Sequence, residues 1–461
     1  MPRAAPPNAC ATCIQRKVKC DGQRPVCRKC DTTGRECNRP AQTVRFVIAT
    51  AQPQNEKLEE KNPQISDAVE IRPRGSPEHS MAPITGTFPA TIAVLHTLVS
   101  KHPTIALENA EIARLFAHYI SVLAPWYDLN DPHRTFAIAV PEEALLEHIL
   151  FSAIIAFAAG HLHKTTGKHG DTAMVFHAAC VTELLGFMSS PNVEPEGAEL
   201  AATCLLRSYE LINGNLSLES HLLGAYSYAA NASINFLQTG LLQAGAWNYL
   251  REEITVALIQ RRGVRMDGIF DENMDSHLGD IMLSDSISYL LGKIINFSFK
   301  NTTHGRRGHW ESLRSALDDW KRNMTIGTAD PSPFSSAAIR GNPFPSIWML
   351  QPCQIAAQQY YAIAEMMLSL HHPDSEREGP SDLVLEFAQE QALQVCGLAW
   401  TNTNEAARVN AFGPMAFCGR YLREQSHREG IEQLLRDCSH PTGWPVEDII
   451  RDLRMCWAIT Y

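Results

Sequence analysis

The chain has 461 residues and a formal net charge of −10, with 45% hydrophobic and 20% charged residues. That balance is ordinary for soluble globular proteins and excludes global disorder, while the length exceeds what one hydrophobic core usually organises. Residues 1–40 hold nine Arg or Lys against three acids, a surplus of six positive charges, so residues 41–461 carry sixteen negative ones. A basic head on an acidic body is the asymmetry expected of a nucleic-acid reader joined to a part that must not itself adhere to nucleic acid.

The segment "MPRAAPPNAC" lacks the apolar centre of a secretory signal. The most apolar run, residues 149–160, falls short of the roughly 20 residues that span a bilayer and reads as a buried core helix. An intracellular, reducing setting is expected, with cysteines thiol or metal-bound rather than disulfide-paired, and with no membrane as partner.

Six of the thirteen cysteines fall between residues 10 and 37. Their order is Cys10-x2-Cys13-x6-Cys20-x6-Cys27-x2-Cys30-x6-Cys37, the unit C-x2-C-x6-C written twice. An x2 gap lets two sulfurs of one backbone turn point at one ion, and an x6 gap is long enough for a short helix to return a third. Three sulfurs do not complete a tetrahedral zinc site, so two halves sharing sulfurs would close two sites. A disulfide scaffold conflicts with the missing secretory signal, and a redox pair with the missing βαβ pattern. The halves differ between their ligands: "IQRKVK" after Cys13 has three cations and no acid, whereas "DTTGRE" after Cys30 has one cation and two acids. Only the first half can face phosphates.

With Asp21-Gly22 at a turn and Pro25 before Cys27, this segment resembles the fungal zinc binuclear cluster family of transcription factors. The resemblance implies two zinc ions bridged by Cys10 and Cys27, with Cys13 and Cys20 completing one site and Cys30 and Cys37 the other. It implies nuclear action on double-stranded DNA, regulating RNA polymerase II genes. A helix of the first half would enter the major groove, a docking mode general to such modules. Arg16 and Lys17 would point outward and approach the bases of a CGG triplet, and Lys19 would lie on the backbone. The chemistry agrees, because guanine O6 and N7 are acceptors and Arg and Lys only donate.

Residues 49–85 are rich in Pro, Gln, Glu and Ser and poor in aromatics, which predicts a disordered linker. Family relatives often place a coiled coil here, but "NEKLEEKN" supplies only Leu58 before Pro63, so dimerisation through this element is not expected. From about Phe88 the pattern is helical. In "NAEIARLFAHYISVL" the apolar residues Ile112, Leu115, Phe116, Tyr119, Ile120 and Leu123 form one stripe, which Pro125 is expected to end. Further helices are read in residues 142–162, in 171–188 behind Asp171 as N-cap, and in stretches onward to "VEDIIRDLRMCWAITY". Residues 115–141 and "IWMLQPCQIAAQQYYAIAEMMLSLHHP" resemble the fungal-specific transcription factor domain, or middle homology region.

No phosphate-binding glycine loop, nucleophile elbow or H-E-x-x-H motif appears, and an enzyme is not expected. His161, His163 and His169 in "GHLHKTTGKHG" read as a polar helix end rather than a metal site. The seven remaining cysteines read as small apolar residues within helices. The expected architecture is a small two-zinc cysteine cluster with two short helices (residues 1–48), a disordered linker (49–85), and a large all-α regulatory domain (86–461). Further partners compatible with it are a second copy bound through the helical domain, the transcription machinery and a small-molecule effector. The competing reading is a zinc-stabilised helical scaffold that binds protein partners, which the charge asymmetry of the two halves disfavours.

Overall fold

The computed structural model describes residues 12–13, 16, 18, 20, 27–33, 35 and 37 of the head. In the body it describes 90–461 except 189–196, 214–223, 225–228, 231, 233, 271–273, 278–281, 301–304, 328–333, 336–340, 377–378 and 460–461. The expected linker, 49–85, lies outside the described residues. The chain divides into two compact units, Met1–Ala82 and Pro83–Tyr461. The head unit contains α1 (Arg28–Thr32), and Thr12 and Cys13 are helical as well.

The body is largely helical. It opens with α2 (Ala90–Val99), α3 (Pro103–Ala106) and α4 (Ala110–His118). Asn109 caps α4, its side-chain oxygen accepting from the Glu111 and Ile112 amides at 2.9 and 3.2 Å. The expected stop at Pro125 does not occur. A π turn over Tyr119–Leu123 shifts the hydrogen-bond register, and helical structure continues through α5 (Ala124–Tyr127), where Pro125 sits in the first turn. Proline lacks the N–H that a helix interior needs but fits a first turn, so the widened turn lets the chain pass it.

After a loop held by Asp128, whose carboxylate accepts from the Phe136 and Ala137 amides at 2.8 Å each, come α6 (Ala139–Ala144), α7 (His148–Thr166), α8 (Gly170–Met188) and α9 (Ala198–Ile212). Helix α8 begins at Gly170, so Asp171 lies in its first turn and not at the expected N-cap. Helix α7 is buried continuously from Leu150 to His161 and packs on α8 and α9. Phe151, Phe157 and Phe176 are fully buried in this first core, each contributing roughly 1.5–3 kcal/mol of transfer free energy. His161 is not at a helix end but inside α7, with His118 Nε2 at 3.0 Å from its Nδ1 and the Pro441 carbonyl at 3.0 Å from its Nε2. Since His161 Nε2–H must donate to that carbonyl, its Nδ1 is the acceptor for His118 Nε2–H, which defines a neutral imidazole pair.

Helix α10 (Leu241–Gln260) is the spine of the body. Ala246, Tyr249 and Val256 belong to the first core, while Trp247, Leu250, Ile254, Ala257 and Leu258 belong to the second. The second core is completed by α11 (Leu283–Phe299), α12 (Arg306–Gly327), α13 (Pro352–Leu370), α14 (Asp382–Thr401), α15 (Glu405–Cys418), α16 (Gln425–Thr442) and α17 (Glu447–Ile459). Strand pairing among the described residues is confined to the two-residue strands β1 (Phe334–Ser335) and β2 (Ile347–Trp348), which pair antiparallel, and one isolated bridge. Where α15 crosses α10, a Cβ on Gly413 would lie 2.7 Å from the Thr255 Cα, so only glycine permits this backbone approach.

Five of the seven body cysteines, Cys180, Cys204, Cys396, Cys418 and Cys438, are buried as expected of small apolar residues, and Cys353 and Cys456 are partly exposed. Among the described residues no helix is long and apolar enough to cross a membrane.

Candidate metal centre

The head is organised around sulfur. Helix α1 starts at Cys27, whose Sγ accepts from the Cys30 amide at 3.4 Å, while the Cys27 amide donates to Cys37 Sγ at 3.4 Å. Backbone bonds from Asp31 N to Cys27 O at 3.0 Å and from Arg35 N to Cys30 O at 3.0 Å close the turn that follows. In the first half, Arg16 N donates to Thr12 O at 3.3 Å and Val18 N to Cys13 O at 3.1 Å, which directs the chain away from Cys13 and on towards Cys20.

These turns gather the sulfurs into two trios, Cys13, Cys20 and Cys27, and Cys27, Cys30 and Cys37, each with its Sγ atoms within 4.8 Å of one another. Cys27 belongs to both. Cys13, Cys27 and Cys30 are fully buried, Cys20 nearly so and Cys37 partly, and these side chains make up the buried cluster of the described head. Among the described residues of the head the buried side chains are thiols rather than hydrocarbon, which gives little apolar burial to fold by.

The donor set fits zinc. Cys13 Sγ and Cys27 Sγ are 3.6 Å apart, far beyond a disulfide of about 2.05 Å. Two thiolates on one tetrahedral zinc, with Zn–S near 2.3 Å, stand about 3.8 Å apart. No disulfide joins the described cysteines.

Of the other residues singled out from the sequence, Arg16 is exposed, and Cys10, Lys17 and Lys19 lie outside the described residues. Arg28, Lys29 and Arg35 are exposed as well. Arg28 and Lys29 begin α1 between two ligands of the same half, so the second half also displays cations, a feature visible in the "CRKC" spacing but not used in the sequence reading. The histidines of "GHLHKTTGKHG" form no group suited to a metal among the described residues.

A repeated cysteine unit whose two trios meet at one sulfur is an arrangement suited to binding metal. Residues 8–45 match the family described as the fungal Zn(2)-Cys(6) binuclear cluster domain. Over 72 residues the chain is 33% identical to the aspercryptin biosynthesis cluster-specific transcription regulator atnN of Emericella nidulans, a stretch covering 14% of this chain and 12% of that protein. No solved structure matches the chain.

Proposed function

We propose that this protein is a sequence-specific DNA-binding transcriptional regulator of RNA polymerase II genes, acting in the nucleus. The observation that carries the reading is Cys27, which belongs to both sulfur trios. A shared thiolate lets six cysteines hold two zinc ions, with Cys10 the second bridge, Cys13 and Cys20 completing one site and Cys30 and Cys37 the other. Bound zinc supplies the cross-link that folds so small a unit. The protein's own residues do the recognition. Arg16 and Lys17 donate to guanine O6 and N7 of a CGG-type half-site in the major groove, and Lys19 contacts phosphate. The match of residues 8–45 to the fungal cluster family and the likeness to a transcription regulator support this reading. Residues 1–48 serve as the DNA-binding head, 49–85 as a tether and 86–461 as the regulatory body, akin to the fungal-specific transcription factor domain, with no catalytic role.

The test is a mobility shift of the full chain on CGG-containing and scrambled duplexes, with and without a zinc chelator. Chelator-sensitive preference for CGG is the expected result. Equal retention of both duplexes, or none of either, favours the helical scaffold, in which the cluster is only a structural knot.

A further inference from the structure

The body contains a cavity of about 230 Å³ that the DNA-binding reading does not use. It lies between α10, the loop after α5 and the start of α11. Its volume is the liquid share of roughly eight waters, which suits a small ligand rather than a drug-sized one. One wall is aromatic: Phe236 and Trp247 meet edge to face with centroids 5.0 Å apart. Facing it is a polar floor of Asn130, Asn248, Arg251 and Asp285, each at most 8% exposed.

Within that floor Arg251 Nη2 and Asn130 Nδ2 are engaged as donors, while two acceptor oxygens are left short of donors. One guanidinium nitrogen of Arg251, Nη2, donates to the Tyr127 carbonyl at 2.8 Å and to Asn248 Oδ1, and Nη1 stands 3.7 Å from Asp285 Oδ1. Asn248 returns its amide N–H to the Ala244 carbonyl at 2.9 Å. Asn130 Nδ2 donates to Asp285 Oδ1 at 3.2 Å, but Asn130 Oδ1, buried with its residue, has no partner. Among the described residues no donor reaches Asp285 Oδ2.

Charge points the same way. The lining carries Asp131 and Asp285 against Arg251 alone, beside His133. Burial, with Asp131 adding to it, pushes the Asp285 carboxyl up to about 6 despite Arg251 and Asn130, as expected of a buried carboxylate short of hydrogen-bond donors. A buried, unpaired acceptor is costly, and a ligand bringing donors removes that cost.

We propose that this cavity binds a small organic amine whose apolar ring lies against Phe236 and Trp247 and whose ammonium group donates to Asp285 and Asn130. A carboxylate of the same size sets its charge against the Asp131 and Asp285 carboxylates, which outnumber Arg251, and is disfavoured. Such a ligand binds N but not U, so it also stabilises the body by mass action.

The test is calorimetric titration of the zinc-loaded full chain at pH 7.5 with tryptamine and, as a ring-matched acid, indole-3-propionate. Tryptamine is expected to bind at least tenfold more tightly than the acid. Asp285→Asn is expected to abolish that preference. Gln243→Trp, which fills the cavity from α10 without touching Asp285, is expected to weaken tryptamine at least tenfold and decides the matter if the first variant does not fold. No heat with tryptamine up to millimolar concentration, equal binding of the acid, or unchanged tryptamine binding in either folded variant overturns the proposal. Retardation of CGG duplexes by the same variants reads the head separately, so the two ideas fail independently.

Discussion

At the scale of single residues, the two halves of the cluster predict unequal roles for their cations. Replacing Arg16 or Lys17 by Ala is expected to cost on the order of 1–3 kcal/mol on CGG duplexes and less on scrambled ones, since the proposed base contact would be lost. Arg35→Ala is expected to cost less on both. Fluorescence titrations at one fixed salt concentration check this, and equal losses for all three on both duplexes would reduce the head to general phosphate attraction. In the body, burial pushes the Glu252 carboxyl up to about 7, against the pull of Arg207, Ser208 and Arg251. A carboxyl whose folded value is raised stabilises the fold fully below its unfolded value near 4.5 and loses that contribution as pH rises through 7. Glu252→Gln does not ionise, so its stability relative to the parent is expected to rise between pH 5 and pH 8 by on the order of 1–2 kcal/mol. Urea unfolding at the two pH values measures the difference, and a constant or falling difference counts against the buried position of this carboxyl.

At the scale of elements, α10 is the least expected helix. Asn248, Arg251, Glu252 and Thr255 are related by spacings of three and four (248 to 251 and 252, and 251 and 252 to 255), a polar stripe that normally faces water. Here it runs between two hydrophobic cores, and all four residues line pockets in the body. Its packing depends on α15 coming close at Gly413, where a methyl group would meet Thr255 backbone atoms that cannot yield. Gly413→Ala is therefore expected to separate α10 from α15 and destabilise the body by about 1–3 kcal/mol despite the better helix propensity of alanine. The same change at Gly308, where a Cβ meets nothing within 4 Å, is expected to be neutral or stabilising. Parallel denaturation of the two variants checks the contrast.

At the scale of the whole molecule, metal content and assembly are the testable quantities. The zinc-loaded chain is expected to hold two zinc ions, and Cys27→Ala to lose more metal than Cys37→Ala, because Cys27 stands in both sulfur trios and Cys37 in one. Metal analysis after dialysis returning one zinc per chain, or equal losses for the two variants, would sink the shared-thiolate arrangement. Residues 49–85 contain no run of heptads, so any dimer is expected to form through the helical body. A fragment of residues 1–85 should then sediment as a monomer, and a dimeric fragment would place the interface in the head or tether instead.

The cysteine cluster was legible because its information is local. Ligands with two and six residues between them lie within one or two turns of backbone, so spacing alone limits what they can bind. The helical character of the body was legible for the same reason, since period and capping are short-range, as Asn109 and the stripe from Ile112 to Leu123 illustrate. Pro125 misled because a π turn changed the register in which its missing N–H matters. What the tertiary structure alone decided are meetings across the chain. Spacing does not say which sulfur is shared; the family resemblance pointed to Cys27, and the fold places it in both trios. The Arg-Glu-Glu run within Leu241–Gln260 has the pattern of a solvated face, and only the two cores that close on this helix bury it. Asn130 and Asp285 are 155 residues apart in sequence, and nothing in either neighbourhood predicts that one donates to the other. A hydrophobic pattern specifies that a face is covered but not by which partner, so the acceptor-lined cavity exists only once α10, the loop after α5 and α11 have packed.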